Sequence, residues 1–196
     1  VVLVGCGESQ QSVPPAEAKP VEPVAEAAKP EPPTVDELLN SMGTPLSELE
    51  KIIAGKKYLE KVTNTTDPNL YKGAAPSETI NRANRTYSIL YINNGDKTLV
   101  HGIWMIKGNT FYYMELVSGG MQIPKEEREV YKATVITLDK KKSIFSAPSF
   151  DENLKEDRIT WESIEKFNAI EMQKFNDEET NKNFNIFKNI TGDEGK

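Results

Sequence analysis

Thr86-Tyr87-Ser88-Ile89-Leu90-Tyr91-Ile92 runs into Asn93-Asn94-Gly95-Asp96. Seven residues rich in β-branched and aromatic side chains meet a turn whose Asn and Gly tolerate positive φ. That pattern spells a hairpin. Residues 98 to 106 form the return strand. Lys107-Gly108-Asn109 is a second tight turn, and residues 110 to 117 make a third strand. Three neighbouring strands joined by short turns are an antiparallel meander. Both faces of the first strand are apolar, with Tyr87, Ile89 and Tyr91 on one side and Leu90 and Ile92 on the other. A sheet of this kind must be covered on both sides.

The pattern weakens away from this centre. Residues 130 to 138 read as a fourth strand, with Lys132 and Thr134 alternating against Tyr131, Ala133 and Val135. Asp139-Lys140-Lys141-Lys142 turns into a short fifth strand near residues 143 to 146. Ser118-Gly119-Gly120 breaks the run after the third strand. Upstream, residues 58 to 62 suggest another strand, and Asp67-Pro68-Asn69 and Ala75-Pro76-Ser77 read as loops.

Two short helices come first. Thr34 opens the folded part, and Val35 to Met42 carries acids in its first turn with Gly43 as a C-terminal stop. Thr44 is expected to cap a second helix with Pro45 at its first position. Leu46, Leu49, Ile52 and Ile53 give it an apolar face, and Gly55 ends it. The C-terminal part also reads as helical. Asp157 or Thr160 caps a helix carrying Trp161, Ile164, Phe167, Glu171 and Phe175. Asp177 caps another that begins Glu178-Glu179 and carries Phe184, Phe187 and Ile190. The expected fold is therefore α+β: a meander of about five strands, two short N-terminal helices, and C-terminal helices packed on the sheet.

Composition excludes several functions. The 196 residues hold 24 basic and 30 acidic side chains, for a net charge of −6, against the basic footprint of nucleic-acid binders. One Cys and one His supply neither an internal disulfide nor a common structural zinc site, so no metal or cofactor is expected. Any Ser-His-Asp triad must use His101, which sits mid-strand between aliphatic neighbours and reads as structural. No GxGxxG, Walker loop, GxSxG, HExxH or CxxC occurs. Glu126-Glu127 and Asp151-Glu152 lie in loops and read as solvated. Phe111-Tyr112-Tyr113 places aromatics on both faces of one strand, with Trp104 in the partner strand, and these four form a candidate binding surface.

The N-terminus is different in kind. Seven of the 12 prolines fall between Pro14 and Pro33, and no aromatic precedes Tyr58. Such a segment reads as an extended, solvated spacer. Residues 7 to 34 span at most about 87 Å as polyproline II, at ~3.1 Å each. Before the spacer stands Leu3-Val4-Gly5-Cys6. This resembles the cleavage motif of bacterial lipoprotein signal peptides, here with only residues 1 to 5 of the signal remaining. The resemblance implies cleavage between Gly5 and Cys6, a diacylglycerol on the Cys6 sulfur, and an acyl chain such as palmitate on its amino group. Gly7 rather than Asp after the cysteine leans toward the outer membrane in that family. Two helices followed by a meander are also loosely similar to the SmpA/OmlA-type small outer-membrane lipoproteins, over residues 34 to 117, with Met42-Gly43-Thr44 as the trace.

The expected organisation is a signal remnant at 1–5, a lipid-anchored tether at 6–34, one domain at 35–192 and a tail at 193–196. The expected function is that of a non-catalytic envelope lipoprotein binding a partner protein or envelope component. It sits on the outer membrane, facing the periplasm or the cell surface, or on the outer face of a Gram-positive cell membrane. The alternative is a glycan-directed envelope hydrolase using carboxylates that the sequence does not single out.

Overall fold

The structure, a computed structural model, describes residues 31–93, 95–149 and 151–176. The Leu3 to Cys6 motif, most of the tether and the helix expected from Asp177 lie outside the described residues.

Among the described residues three α-helices and nine strands follow in order, with one 3-10 turn at Lys125–Glu127: α1 (Val35–Ser41), α2 (Glu48–Ile53), β1 (Lys56–Asn64), β2 (Ser77–Asn81), β3 (Thr86–Asn93), β4 (Asp96–Lys107), β5 (Thr110–Ser118), β6 (Met121–Gln122), β7 (Tyr131–Thr137), β8 (Lys142–Pro148), β9 (Glu156–Ile164) and α3 (Ile170–Phe175). The central meander lies where the hairpin signals put it, with Asn93 opposite Asp96 and Lys107 opposite Thr110. Gly95 takes φ +90°, the conformation this turn requires.

The architecture corrects the α+β expectation. All strand pairs are antiparallel, in the order β4-β3-β2-β1-β9-β8-β7-β5-β6, and β4 also pairs with β5. Eight strands thus close into a barrel, and β6 is an extra short strand on β5. Closure removes the open edges that a five-strand meander would leave.

Two strands account for the difference. β9 occupies the segment read as a helix. Trp161 and Ile164 are three residues apart, so on a strand they face opposite ways. Trp161 enters the barrel core, while Ile164 packs outside with Ile80, Leu90, Phe167 and Met172. The true period is two: Asp157, Ile159 and Trp161 share the inner face. β2 carries Glu78, Thr79 and Asn81, all buried, and so lacks the apolar alternation that marks a strand.

The inner face holds Tyr58, Tyr87, Ile89, Val100, Trp104, Ile106, Phe111, Ala133, Phe145 and Trp161 in one cluster with Ile53 of α2. Fully burying each large apolar side chain contributes about 1.5–3 kcal/mol. The two apolar faces of β3 are both covered, one by the barrel core and one by α3. α1 covers the outside of β4 and β5, where Leu38 packs on Ile103, Tyr112, Met114 and Leu116. α3 is held at its start by Glu78, whose carboxylate accepts the backbone N–H groups of Asn168 (2.5 Å) and Ala169 (3.0 Å).

α2 lies across the end of the barrel where β1 begins. Its cap is Ser47, not Thr44. Ser47 Oγ accepts from the Glu50 N–H, and the Glu50 carboxylate accepts from the Ser47 N–H at 2.7 Å. Thr44 instead donates its hydroxyl to the Ser41 carbonyl. Leu49, expected in the core, is exposed, and the buried positions of the helix are Ile53 and Glu50. The Glu50 carboxylate takes both Nε (2.9 Å) and Nη2 (2.8 Å) of Arg85 and the backbone N–H of Ile106. Arg85 completes the lock with hydrogen bonds to the Ser41 and Pro45 carbonyls and to Thr44. Its φ of +64° is the one positive value at a non-glycine among the described residues. That conformation costs on the order of 1 kcal/mol or more, which the ion pair and the Trp104 N–H to Arg85 carbonyl bond offset.

Candidate functional site

The opposite end of the barrel is open. An inner cavity of about 50 Å³ is lined by Glu60, Thr79, Asn81, Tyr87, Ile89, Tyr91, Phe111, Tyr113, Ala133, Phe145, Ile159 and Trp161. It leads to a mouth of about 610 Å³ that Glu115, Tyr131, Lys132 and Asp157 also border. Barrels of eight strands are just wide enough to be filled by side chains or to hold one small ligand. This one is filled at the α2 end and hollow at the other.

Register explains which residues meet. Tyr58, Glu60 and Val62 alternate inward along β1, and Glu60 stands opposite Trp161. Tyr87, Ile89 and Tyr91 alternate inward along β3. Phe111, Tyr113 and Glu115 do so along β5, where Tyr113 stands opposite Tyr131 of β7. The Tyr113 and Tyr131 rings stack, with centroids 5.3 Å apart, and Tyr87 meets Tyr113 edge-on at 6.2 Å. Tyr91 and Tyr131 keep more than a third of their surface exposed at the mouth.

Glu60 borders both the inner cavity and the mouth. Its Oε2 accepts a hydrogen bond from the Trp161 indole N–H at 2.7 Å. Burial pushes its carboxyl up to about 6, and the Trp161 bond only partly opposes that. Glu115 is also raised by burial, and it has no hydrogen-bond or ion-pair partner among the described residues. β1 and β5 are four strands apart whichever way the barrel is followed, so these two carboxyls rise from opposite walls. Eight strands ~4.8 Å apart and tilted by ~40° give a barrel about 16 Å across. The third acid, Asp157, is engaged: it accepts from Asn64 Nδ2 (2.8 Å) and from the Tyr71 hydroxyl (2.7 Å). Burial and that acid push the Tyr71 phenol up to about 12.

Two further groups decide the character of the cavity. The Tyr87 hydroxyl and Asn81 Nδ2 are buried and have no hydrogen-bond partner among the described residues. Tyr87 is 7% exposed and Asn81 1%. An unmet buried donor costs about 1–3 kcal/mol, so folded chains rarely keep two in one wall without use. Gly102 makes room for one of them. A Cβ there would collide with the Met114 carbonyl and lie 2.5 Å from the Tyr87 ring.

The four aromatics singled out by sequence do not form one surface. Trp104 and Phe111 are stacked deep in the barrel, and Phe111 and Tyr113 line the inner cavity. Tyr112 points outward and lies beneath α1. Sequence reasoning missed Glu60, Glu115, Tyr87 and Asn81. The available signal was Tyr58-x-Glu60-x-Val62, a charge in an inward-facing series.

His101 lies on the outside of β4. Its Nδ1 is 2.9 Å from Ser88 Oγ, and its ring stacks on Phe175 at 3.8 Å. Burial, then the charge of Arg82, depresses it to about 3. Ser88 is fully buried, so this Ser-His pair is sealed from substrate. Among the described residues no group of three or more His, Cys, Asp or Glu could hold a metal, and no helix is long and apolar enough to cross a membrane. No protein-family model and no curated protein matches the chain.

Proposed function

We propose that the chain is a non-catalytic envelope lipoprotein whose barrel binds a small amphipathic molecule. In this reading lipid on Cys6 anchors it, and the proline-rich tether ends near Thr34. The ligand is the envelope component expected from the sequence, reduced in size to what a barrel can take. The observation that carries the binding role is the pair of unmet buried groups, Asn81 Nδ2 and the Tyr87 hydroxyl, on a cavity that opens through a tyrosine-lined mouth. A preformed apolar cavity with a few convergent polar groups is the usual form of a small-molecule site.

Two experiments test the two halves. Titration with the neutral dye Nile Red should give saturable fluorescence at one site per chain. Ala133→Leu, which fills the inner wall, should abolish it while the circular dichroism spectrum is retained. Unchanged dye binding in a folded Ala133→Leu protein removes the cavity reading. For the anchor, Cys6→Ser in the full precursor should release the protein from membranes and end acyl labelling. Unchanged fractionation and labelling remove the lipoprotein reading.

A glycan-directed hydrolase is the second reading. It draws on Glu60 and Glu115, two carboxyls raised by burial in one mouth. Incubation with isolated cell-wall glycan separates the readings. Cleavage products that disappear in Glu60→Gln support the hydrolase, and intact glycan supports the binder.

A further inference from the structure

We propose that the ligand is a small organic cation, an ammonium carried on an apolar or aromatic body, whose charged group is held between Glu60 and Glu115 by the tyrosines of the mouth. This rests on the barrel being the binding site. It adds the sign of the ligand's charge and its orientation.

The charge follows from what lines the mouth. Glu60 and Glu115 face it from opposite walls, and neither has a basic partner among the described residues. Asp157 borders the same space, already satisfied by Asn64 and Tyr71. The basic residue that borders it is Lys132, which stands on the outward series of β7 beside Tyr112 and is exposed. The field inside the mouth is therefore negative, in a cleft whose protein walls focus it.

The rings agree with the charge. Tyr91, Tyr113 and Tyr131 bring three π systems to the level of the carboxyls. Aromatic faces attract ammonium groups within about 6 Å, by ~0.5–2 kcal/mol according to desolvation. A cage of tyrosines with carboxylates is the usual receptor for an organic cation and a poor one for an anion. The inner end adds an orientation. Asn81 Nδ2 and the Tyr87 hydroxyl both have a hydrogen to donate. They suit a ligand whose far tip carries an oxygen acceptor. The ammonium thus stays at the mouth while the body enters the inner cavity.

Protonation of Glu60 makes the site pH-sensitive. The groups bordering the spaces it lines are the Tyr87 and Tyr91 phenols from β3, Tyr113 and Glu115 from β5, Tyr131 and Lys132 from β7, Trp161 and Asp157 from β9, and, in the adjoining pocket, Tyr71 and Lys61. Burial holds the phenols of Tyr87, Tyr91 and Tyr113 well above their ordinary range, and they stay neutral. Glu60 titrates in the mild range, so cation affinity rises as pH passes upward through about 6.

Three isosteric probes test this: 4-phenylbutylammonium, 4-phenylbutan-1-ol and 4-phenylbutanoate, titrated calorimetrically into the full chain at pH 5 and pH 8. At pH 8 the ammonium should bind at least ten-fold tighter than the alcohol, and the carboxylate weakest. That preference should shrink at pH 5 and fall in both Glu60→Gln and Glu115→Gln, while the alcohol's affinity holds. Equal affinity for alcohol and ammonium, or preference for the carboxylate, overturns the cation and leaves the cavity reading standing. If none of the three binds and Nile Red does not bind either, the cavity reading falls with it. If Nile Red binds and none of the three does, the cation inference alone is overturned.

Discussion

Glu50 and Glu60 are ten residues apart and sit at opposite ends of one barrel. Glu50 is buried, and burial alone would raise its carboxyl. Four donors reverse that: two from Arg85 and the N–H groups of Ser47 and Ile106 hold it below the usual range. Glu60 accepts one hydrogen bond among the described residues, from Trp161, and it stays raised. The closed end has met its polar needs internally, and the open end has left several unmet. A fold that can satisfy a buried carboxylate so fully at one end has the means to do so at the other. In the proposed reading, the unmet end is where a ligand would complete the hydrogen bonding, at some cost in stability of the empty protein.

The comparison breaks most easily at the closed end. Arg85→Met leaves Glu50 charged, buried and short of two donors, and should cost about 3–5 kcal/mol. Urea denaturation measures it. A loss below 1 kcal/mol would mean that the lock is not what closes the barrel. Since the folded Glu50 carboxyl is depressed, its stabilisation is present above its ordinary value near 4.5 and is lost as pH falls through the folded value.

Gly102→Ala comes next. The added methyl meets the Met114 carbonyl and the Tyr87 ring, and overpacking of this kind costs about 1–3 kcal/mol. Tyr87 should move, so Nile Red binding falls along with thermal stability. Loss of stability with dye binding intact would separate Gly102 from the cavity.

At the open end the signs reverse. Glu60→Gln should stabilise the empty protein by roughly 1–2 kcal/mol at pH 8 and by nothing near pH 4. Below about 4.5 the carboxyl is protonated in both folded and unfolded chains. Between 4.5 and about 6 only the folded chain holds the proton. Wild-type stability therefore falls as pH rises across that window and stays lower above it. Thermal melts at the two pH values check the difference, and a destabilised Gln variant at pH 8 sinks it.

Tyr87→Phe is the smallest change. It removes a hydroxyl with no partner and should raise stability by about 1 kcal/mol. A loss of stability instead would show that water or protein already satisfies that group.

The central meander was legible in local patterns, although the fold class was not. β3–β5 announced themselves through β-branched and aromatic runs closed by Asn-Gly and Lys-Gly-Asn turns, whereas Gly119-Gly120 read only as a break, and the structure makes of them, both at positive φ, a hairpin to β6. β2 was hidden because Glu78, Thr79 and Asn81 are buried for specific bonding and cavity lining, which the apolar-polar alternation does not encode. β9 was hidden because Trp161, Ile164 and Phe167 imitate one helix face although the first two residues point to opposite sides of a wall. Closure was invisible because it joins segments far apart in the chain. Of the site, the aromatic half of β5 was flagged. The carboxyls were missed because a lone Glu on a strand reads as solvent-facing until the strand is known to curve into a barrel.

The pairing of β1 with β9 has a kinetic meaning. Lys57 meets Ile164 across 107 intervening steps of chain (164 − 57). Loop closure over that span is paid before any of its contacts form, so barrel closure is the slow event in folding. Until β9 arrives, β1 and β8 each present a row of unpaired amides and carbonyls, and the tyrosine-lined chamber has one wall missing. The proposed ligand site therefore exists only in the finished molecule, and dye binding there would report that the last strand has seated.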